Sequence, residues 1–200
     1  MSAVKTHRPN RENSDADDCC EDCSVSYDST ESATDYQAQR VQLSTNARFE
    51  ALVTAFEQAV PGLSDADALT RLAGDGDWSG FVRGLQWESP SGFVCVWSSR
   101  PGDLMRYAGS SVSSIVWLIV NQGLAAQLFR HDPGAMLYSP VRIEAHASAQ
   151  AGTILSFDVP STQLRGFGIN KITQAGTELD RALGDLIEDI GLPRPSALRR

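Results

Sequence analysis

Three cysteines, Cys19, Cys20 and Cys23, stand together as Cys-Cys-Glu-Asp-Cys. Cys20 and Cys23 have the spacing that chelates a soft metal or forms a redox pair. Either use requires thiolates, which form beside cations or at helix N-termini. Here the neighbours are Asp17, Asp18, Glu21 and Asp22, which favour the thiol. No second Cys or His pair stands at zinc-site spacing, so the trio are weak metal candidates, expected to be solvated thiols, and no cofactor is expected. Cys95 lies in an apolar run, Phe93–Ser98, and is expected to pack as a small hydrophobe. His131 precedes Asp132, a pairing that can serve a general base. Adjacent residues in a turn seldom face each other, however, and Asp-Pro is a turn starter. Arg142 follows a Pro-containing stretch and opens a strand, where a guanidinium could grip a carboxylate or phosphate in bidentate fashion. The competing expectation is a salt bridge to Glu144, Asp158 or the last helix. Tyr138 is expected to share a sheet face with Arg142 if the period of two holds. Asn121 ends a strand and opens a helix, which suits a helix cap or a ligand contact. Trp117, with Trp78, Trp87 and Trp97, is expected in the core or a pocket wall.

No phosphate-binding loop, dinucleotide fingerprint or Gly-x-Ser-x-Gly elbow is present. The 200 residues carry a net charge of −8, which argues against non-specific nucleic-acid binding and against a polybasic membrane patch. The charge is uneven. Residues 1–40 hold four basic and nine acidic residues, a net −5; the other 160 residues carry −3. Residues 1–40 also contain no Leu, Ile, Phe or Trp. Such a stretch cannot offset backbone ordering by burial, so a disordered acidic tail is expected there. The start of the chain lacks the apolar segment of a secretory signal. The longest purely apolar run, Ile115–Val120, is far short of the ~20 residues of a membrane helix. A soluble cytoplasmic protein is the expectation.

Hydrophobic periodicity supplies the elements that must position these residues. Val41–Ser44 reads as a strand, followed by a helix capped by Ser44, Thr45 or Asn46. Phe49, Leu52, Val53, Phe56 and Val60 form its apolar face. Ala66–Leu72 and Trp78–Leu85 read as further helices, Phe93–Ser98 as a strand, and Asp103–Ala108 as a helical turn. Val112–Val120 reads as a long strand and Gly123–Arg130 as a short helix. Met136–Ala147 and Thr153–Val159 read as a hairpin. A last helix over Asn170–Ile190 carries the stripe Ile172, Ala175, Leu179, Leu183, Leu186 and Ile190. This order predicts an α+β domain with a mostly antiparallel sheet and helices on one face.

From Trp117 onward the order of signals resembles the domain-of-unknown-function 302 family in its longer bacterial form. The carriers are Leu118–Asn121, Ala125-Ala126, Phe129–Pro133, Met136–Arg142, Asp158–Thr162, Phe167-Gly168 and Glu178–Asp180. The resemblance spans about residues 41–195, taken as one domain. It implies a TATA-box-binding-protein-like fold and no established reaction. Val120 and Gln122 stand where the family pattern has Gly and His, so a function resting on that His is not carried over. Two functional readings follow. In the first, a small-molecule-binding module has a pocket between sheet and C-terminal helix, lined by Trp97, Trp117, Tyr138 and Phe157, with Arg142 or Asn121 orienting the ligand. In the second, an enzyme of unassigned reaction uses the same pocket, with Arg142, Tyr138, His131 and Asp158 converging. A homodimer built on a sheet edge or helix face is a third option.

Overall fold

The structure, a computed structural model, describes residues 28–62, 74, 76–150 and 152–199. The cysteine trio and the expected Ala66–Leu72 helix lie outside these residues, as does most of the expected tail. The chain divides into two units, residues 1–33 and 34–200, and every element below belongs to the second. Residues 34–40, counted with the tail on composition, are part of that second unit. Val159 N–H donates to the Gln39 carbonyl (2.8 Å), and Gln39 N–H donates to Thr162 Oγ1 (3.1 Å).

Five strands form one sheet: β1 (Arg40–Thr45), β2 (Val94–Ser99), β3 (Ser114–Val120), β4 (Val141–Ser148) and β5 (Gly152–Asp158). Their spatial order is β1-β5-β4-β3-β2, and every pair is antiparallel. The helices are α1 (Phe49–Ala59), α2 (Trp78–Glu88), α3 (Pro101–Met105), α4 (Gln122–His131), α5 (Pro160–Leu164) and α6 (Asn170–Asp189). The α+β expectation and the antiparallel sheet are what the structure shows.

Alternation along the strands sorts residues between two faces. Trp117, Ile143 and Phe157 are cross-strand partners on the covered face, buried to 3% exposure or less. Against them lie Leu52, Val53 and Phe56 of α1 and Ile172, Leu179 and Leu183 of α6. The expected α6 stripe is buried along its whole length. That helix ends where Gly191 takes φ +85°, which an L side chain tolerates poorly, and Leu192 N–H donates to the Ile187 carbonyl. A buried carboxylate, Asp180, accepts the Ser161 backbone N–H at 2.9 Å, tying α6 to the start of α5. One turn before it, Gly176 leaves no room for a side chain, since a Cβ would sit 3.0 Å from Ser161 Cα.

Two local expectations are corrected. No side chain caps α1: Arg48 holds the cap position, while Thr45 Oγ1 accepts the Ala47 N–H within the turn. The first hairpin arm does not begin at Met136. Residues Pro133–Tyr138 form a 3₁₀ helix, and β4 starts only after the cis Ser139–Pro140 bond. Asp132 starts this irregular stretch by accepting the Gly134 N–H at 2.7 Å.

Candidate functional site

The four sequence-derived site residues are not brought together. Asn121 caps α4, its Oδ1 accepting the Leu124 N–H at 3.1 Å. Its amide nitrogen fills the space beside Gly92, where φ is +74°. Trp117 is 1% exposed and stacks on Phe56 at 4.2 Å and 25°. Tyr138 sits in the 3₁₀ helix, so the period-two argument placing it beside Arg142 does not apply. Its ring meets Tyr36 and Phe167 edge-on at 5.7 and 6.0 Å. A hydrogen bond with Tyr36, then burial, hold its hydroxyl above the ordinary tyrosine pKa. Arg142 is exposed on the face of the sheet opposite α1 and α6. Its expected salt bridge is absent among the described residues, because Asp158 pairs with Arg40 (3.3 Å) and Glu144 with His146 (3.0 Å).

The pocket expected between sheet and α6 is occupied by protein. Trp117, Ile143, Leu155, Ile172, Leu179 and Leu183, each 1% exposed or less, meet there. Trp97 cannot join Trp117 in one wall, because it pairs with Leu118 and so projects from the other face. Trp78, Trp87 and Trp97 are 46%, 88% and 51% exposed, so none of them is core; Trp78 is a pocket wall, the other half of that expectation. The four groups of the enzyme reading are also separated. Arg142 and Asp158 line one hollow, His131 lines another, and Tyr138 is engaged with Tyr36. Cys95 is half-buried, and desolvation raises its thiol pKa, which favours the protonated thiol.

A different place combines chemistries. The exposed side of α4 meets the first turns of α6 and of α2. One hollow of about 490 Å³ is lined by Trp78, Gln127, Arg130, His131, Lys171 and Gln174, with Gly123 and Ala126 as its small residues. A second, of about 500 Å³, adjoins it and is walled mainly by Trp78, Ala125, Ala126, Phe129 and Met136. Trp78, Ala126 and Arg130 belong to both. The first is cationic and the second apolar. Neither Arg130 nor Lys171 has an ion-pair partner among the described residues. Both lie where sequence places a basic group at a helix end: Arg130 in the last turn of α4, where the dipole favours it, and Lys171 in the first turn of α6, where it does not. A cation against the dipole repels itself from that helix end and is eased by an anion.

Sequence reasoning weighed His131 and placed Arg130 in the right helix, but it did not see Lys171 or Trp78 joining them. The signal was the α4 surface itself. Ala125-Ala126 are small residues facing a concavity, and Phe129 is a large apolar residue, 55% exposed, that the helix core does not use.

No family model matches the chain, and no curated protein does. A solved structure does: an uncharacterized conserved protein, DUF302, from Bacillus stearothermophilus. The two chains are 10% identical and superpose with a TM-score of 0.54 over 76% of this chain and 97% of that one. At this identity the likeness shows a shared fold.

Proposed function

We propose that this is a small-molecule-binding module whose site is the paired hollow on α4, and whose ligands are organic anions with an apolar body. The carboxylate or phosphate of the ligand sits between Arg130 and Lys171, with His131 nearby. The acyl or aromatic body lies along Trp78, Phe129 and Met136. One observation carries this reading: a cationic hollow and an apolar hollow share Trp78, Ala126 and Arg130, so a single ligand reaches both. Combined apolar walls and few placed polar groups are the usual composition of small-molecule sites, and both volumes fall in their usual range.

The same reading takes the chain as a bacterial cytoplasmic member of the domain-of-unknown-function 302 family with a TATA-box-binding-protein-like fold. The ordered motifs from Trp117 to Asp180 and the fold shared with the Bacillus protein support it.

Thermal unfolding in the presence of octanoate, phenylacetate and their neutral amides tests the site. A ligand that binds only the folded chain stabilises it by about 2.7 kcal/mol at a hundredfold excess over Kd. For a domain of this size that raises Tm by roughly 5–10 °C. The acids are expected to shift Tm and the amides much less. The double variant Arg130→Ala, Lys171→Ala is expected to lose most of the shift while unfolding normally. Equal shifts for acids and amides, or none from any of them, would sink the reading.

A further inference from the structure

The face of the sheet opposite α1 and α6 is not built like a solvated one. Antiparallel sheets commonly leave one face to water, and its residues are then polar. On β4, β5 and β1 this holds except at Ile154, with Arg142, Glu144, Ser156, Asp158, Arg40 and Gln42 outward. On β3 it fails. Ile115, Trp117 and Ile119 face the core, but Val116, Leu118 and Val120 on the other side are apolar too. Apolar residues on both sides mark a strand covered on both. Val120 is covered, beside Phe81 and Leu85 of α2. Val116 and Leu118 are only half-buried, and Trp97 beside Leu118 is 51% exposed.

Two rows of cross-strand neighbours make up the centre of this face. One runs Arg40, Asp158, Arg142, Leu118, Trp97; the adjacent one runs Gln42, Ser156, Glu144, Val116, Ser99. The formal charges of Arg40, Arg142, Asp158 and Glu144 cancel, so the face does not suit nucleic acid or an anionic membrane, which select an excess of cations. It is complementary to itself.

We propose that this face is the interface of a homodimer, with a second copy of the chain stacked on it through a two-fold axis lying between the rows. Such an axis, perpendicular to the strands, lays each strand antiparallel on its own copy and one row on the other. Arg142 then meets Glu144 of the partner copy, and Leu118 meets Val116 of the partner copy. One rotation thus pairs the lone guanidinium and covers the apolar strip. Closed two-fold dimers are the commonest homo-oligomers. Strand spacings of about 4.8 Å and rises of about 3.3 Å per residue give each face a plan area on the order of 500 Å². That is below the roughly 800 Å² per partner of a standard stable interface, so a dimer that dissociates on dilution is expected.

Light scattering on the full chain, from about 1 to about 200 µM, decides the matter. Wild type is expected to pass from monomer to dimer across that range. Arg142→Glu and Glu144→Arg each set like charges across the axis and are expected to weaken association at least tenfold. Mixed in equal amounts, the two variants restore both opposite-charge pairs and are expected to recover the wild-type dimer. Thermal unfolding of each single variant shows that it folds. A wild-type chain monomeric throughout, a dimer indifferent to both single changes, or a mixture that stays monomeric overturns the proposal.

Discussion

Trp117 and Leu118 are neighbours in sequence, in the same strand, and lie on opposite sides of one sheet. Trp117 is stacked against Phe56 and enclosed by two helices; Leu118 has Arg142 on one side and the exposed Trp97 on the other. The covered face is sorted mainly by volume and shape, with Trp117 Nε1 donating to Glu57 and Thr153 Oγ1 to the Ala47 carbonyl as its polar contacts. It holds no charged strand residue, and its one buried carboxylate nearby, Asp180, serves a backbone N–H. The opposite face mixes apolar, cationic and anionic groups in rows, and Arg142 on it lacks an ion-pair partner among the described residues. The contrast teaches that completeness differs across a few ångströms of backbone. One face is finished within the chain, and the other carries groups that only a second surface would use.

Removing the larger side chain is the hardest test of that contrast. Trp117→Ala is expected to cost about 3–5 kcal/mol of folding stability, whereas Leu118→Ala at low protein concentration costs about 1 kcal/mol. Urea unfolding of both variants, at concentrations where the chain is monomeric, measures the gap. Equal losses would mean that Leu118 is already enclosed in the single chain and that the two faces are alike.

Asp180→Ala probes whether polar groups on the covered side are structural. It leaves the Ser161 N–H unpaired in a buried setting, at an expected cost of about 1–3 kcal/mol by urea unfolding. A change within a few tenths of wild type would show that this carboxylate is not needed for the fold and would make it a candidate for function.

The smallest effect belongs to the solvated rim. Arg100 grips both oxygens of Glu50, at 3.0 and 3.2 Å, and holds that carboxyl below its ordinary pKa. A lowered folded-state pKa stabilises the protein above the unfolded-state value of about 4.3, and that stability is lost as pH falls through the folded value. Because the pair is exposed, the contribution is expected to be about 0.5 kcal/mol or less and to fade in salt. The urea midpoints of wild type and Glu50→Gln should therefore converge as pH drops below about 4. A gap that persists or widens in acid would contradict the assignment.

What the sequence disclosed follows from the range over which each signal acts. The α6 stripe, from Ile172 to Ile190, is a local 3.6-residue pattern, and it was readable in full. So was the cap at Asn121, whose partner is three residues on. The 3₁₀ helix before β4 is not legible in that way, because the Asp132-Pro133 turn starter overrides a strand-like run of side chains. The partners of Arg142 were out of reach for another reason. Whether Asp158 goes to Arg40 or to Arg142 depends on strand register, and register is set by pairings more than a hundred residues apart. The α4 site was half legible for the same reason: Arg130 and His131 are local to each other, but Lys171 and Trp78 arrive from other helices.

The order β1-β5-β4-β3-β2 has a consequence for how the protein is made. The first strand synthesised pairs only with the last, Arg40 opposite Asp158 at a sequence separation of 118. A ribosome delivers the chain from its N-terminus, so β2, β3 and β4 emerge and can find one another while β1 still lacks its neighbour. Until residue 158 leaves the exit tunnel, Val41 and Leu43 remain unpaired, and until α6 follows, the part of the apolar side that α1 does not cover stays open. Final closure is therefore a late, long-range event, slow relative to the local hairpins. A chain stopped just short of α6 would present the apolar surface that Ile172, Leu179 and Leu183 cover to the quality-control machinery of the cell.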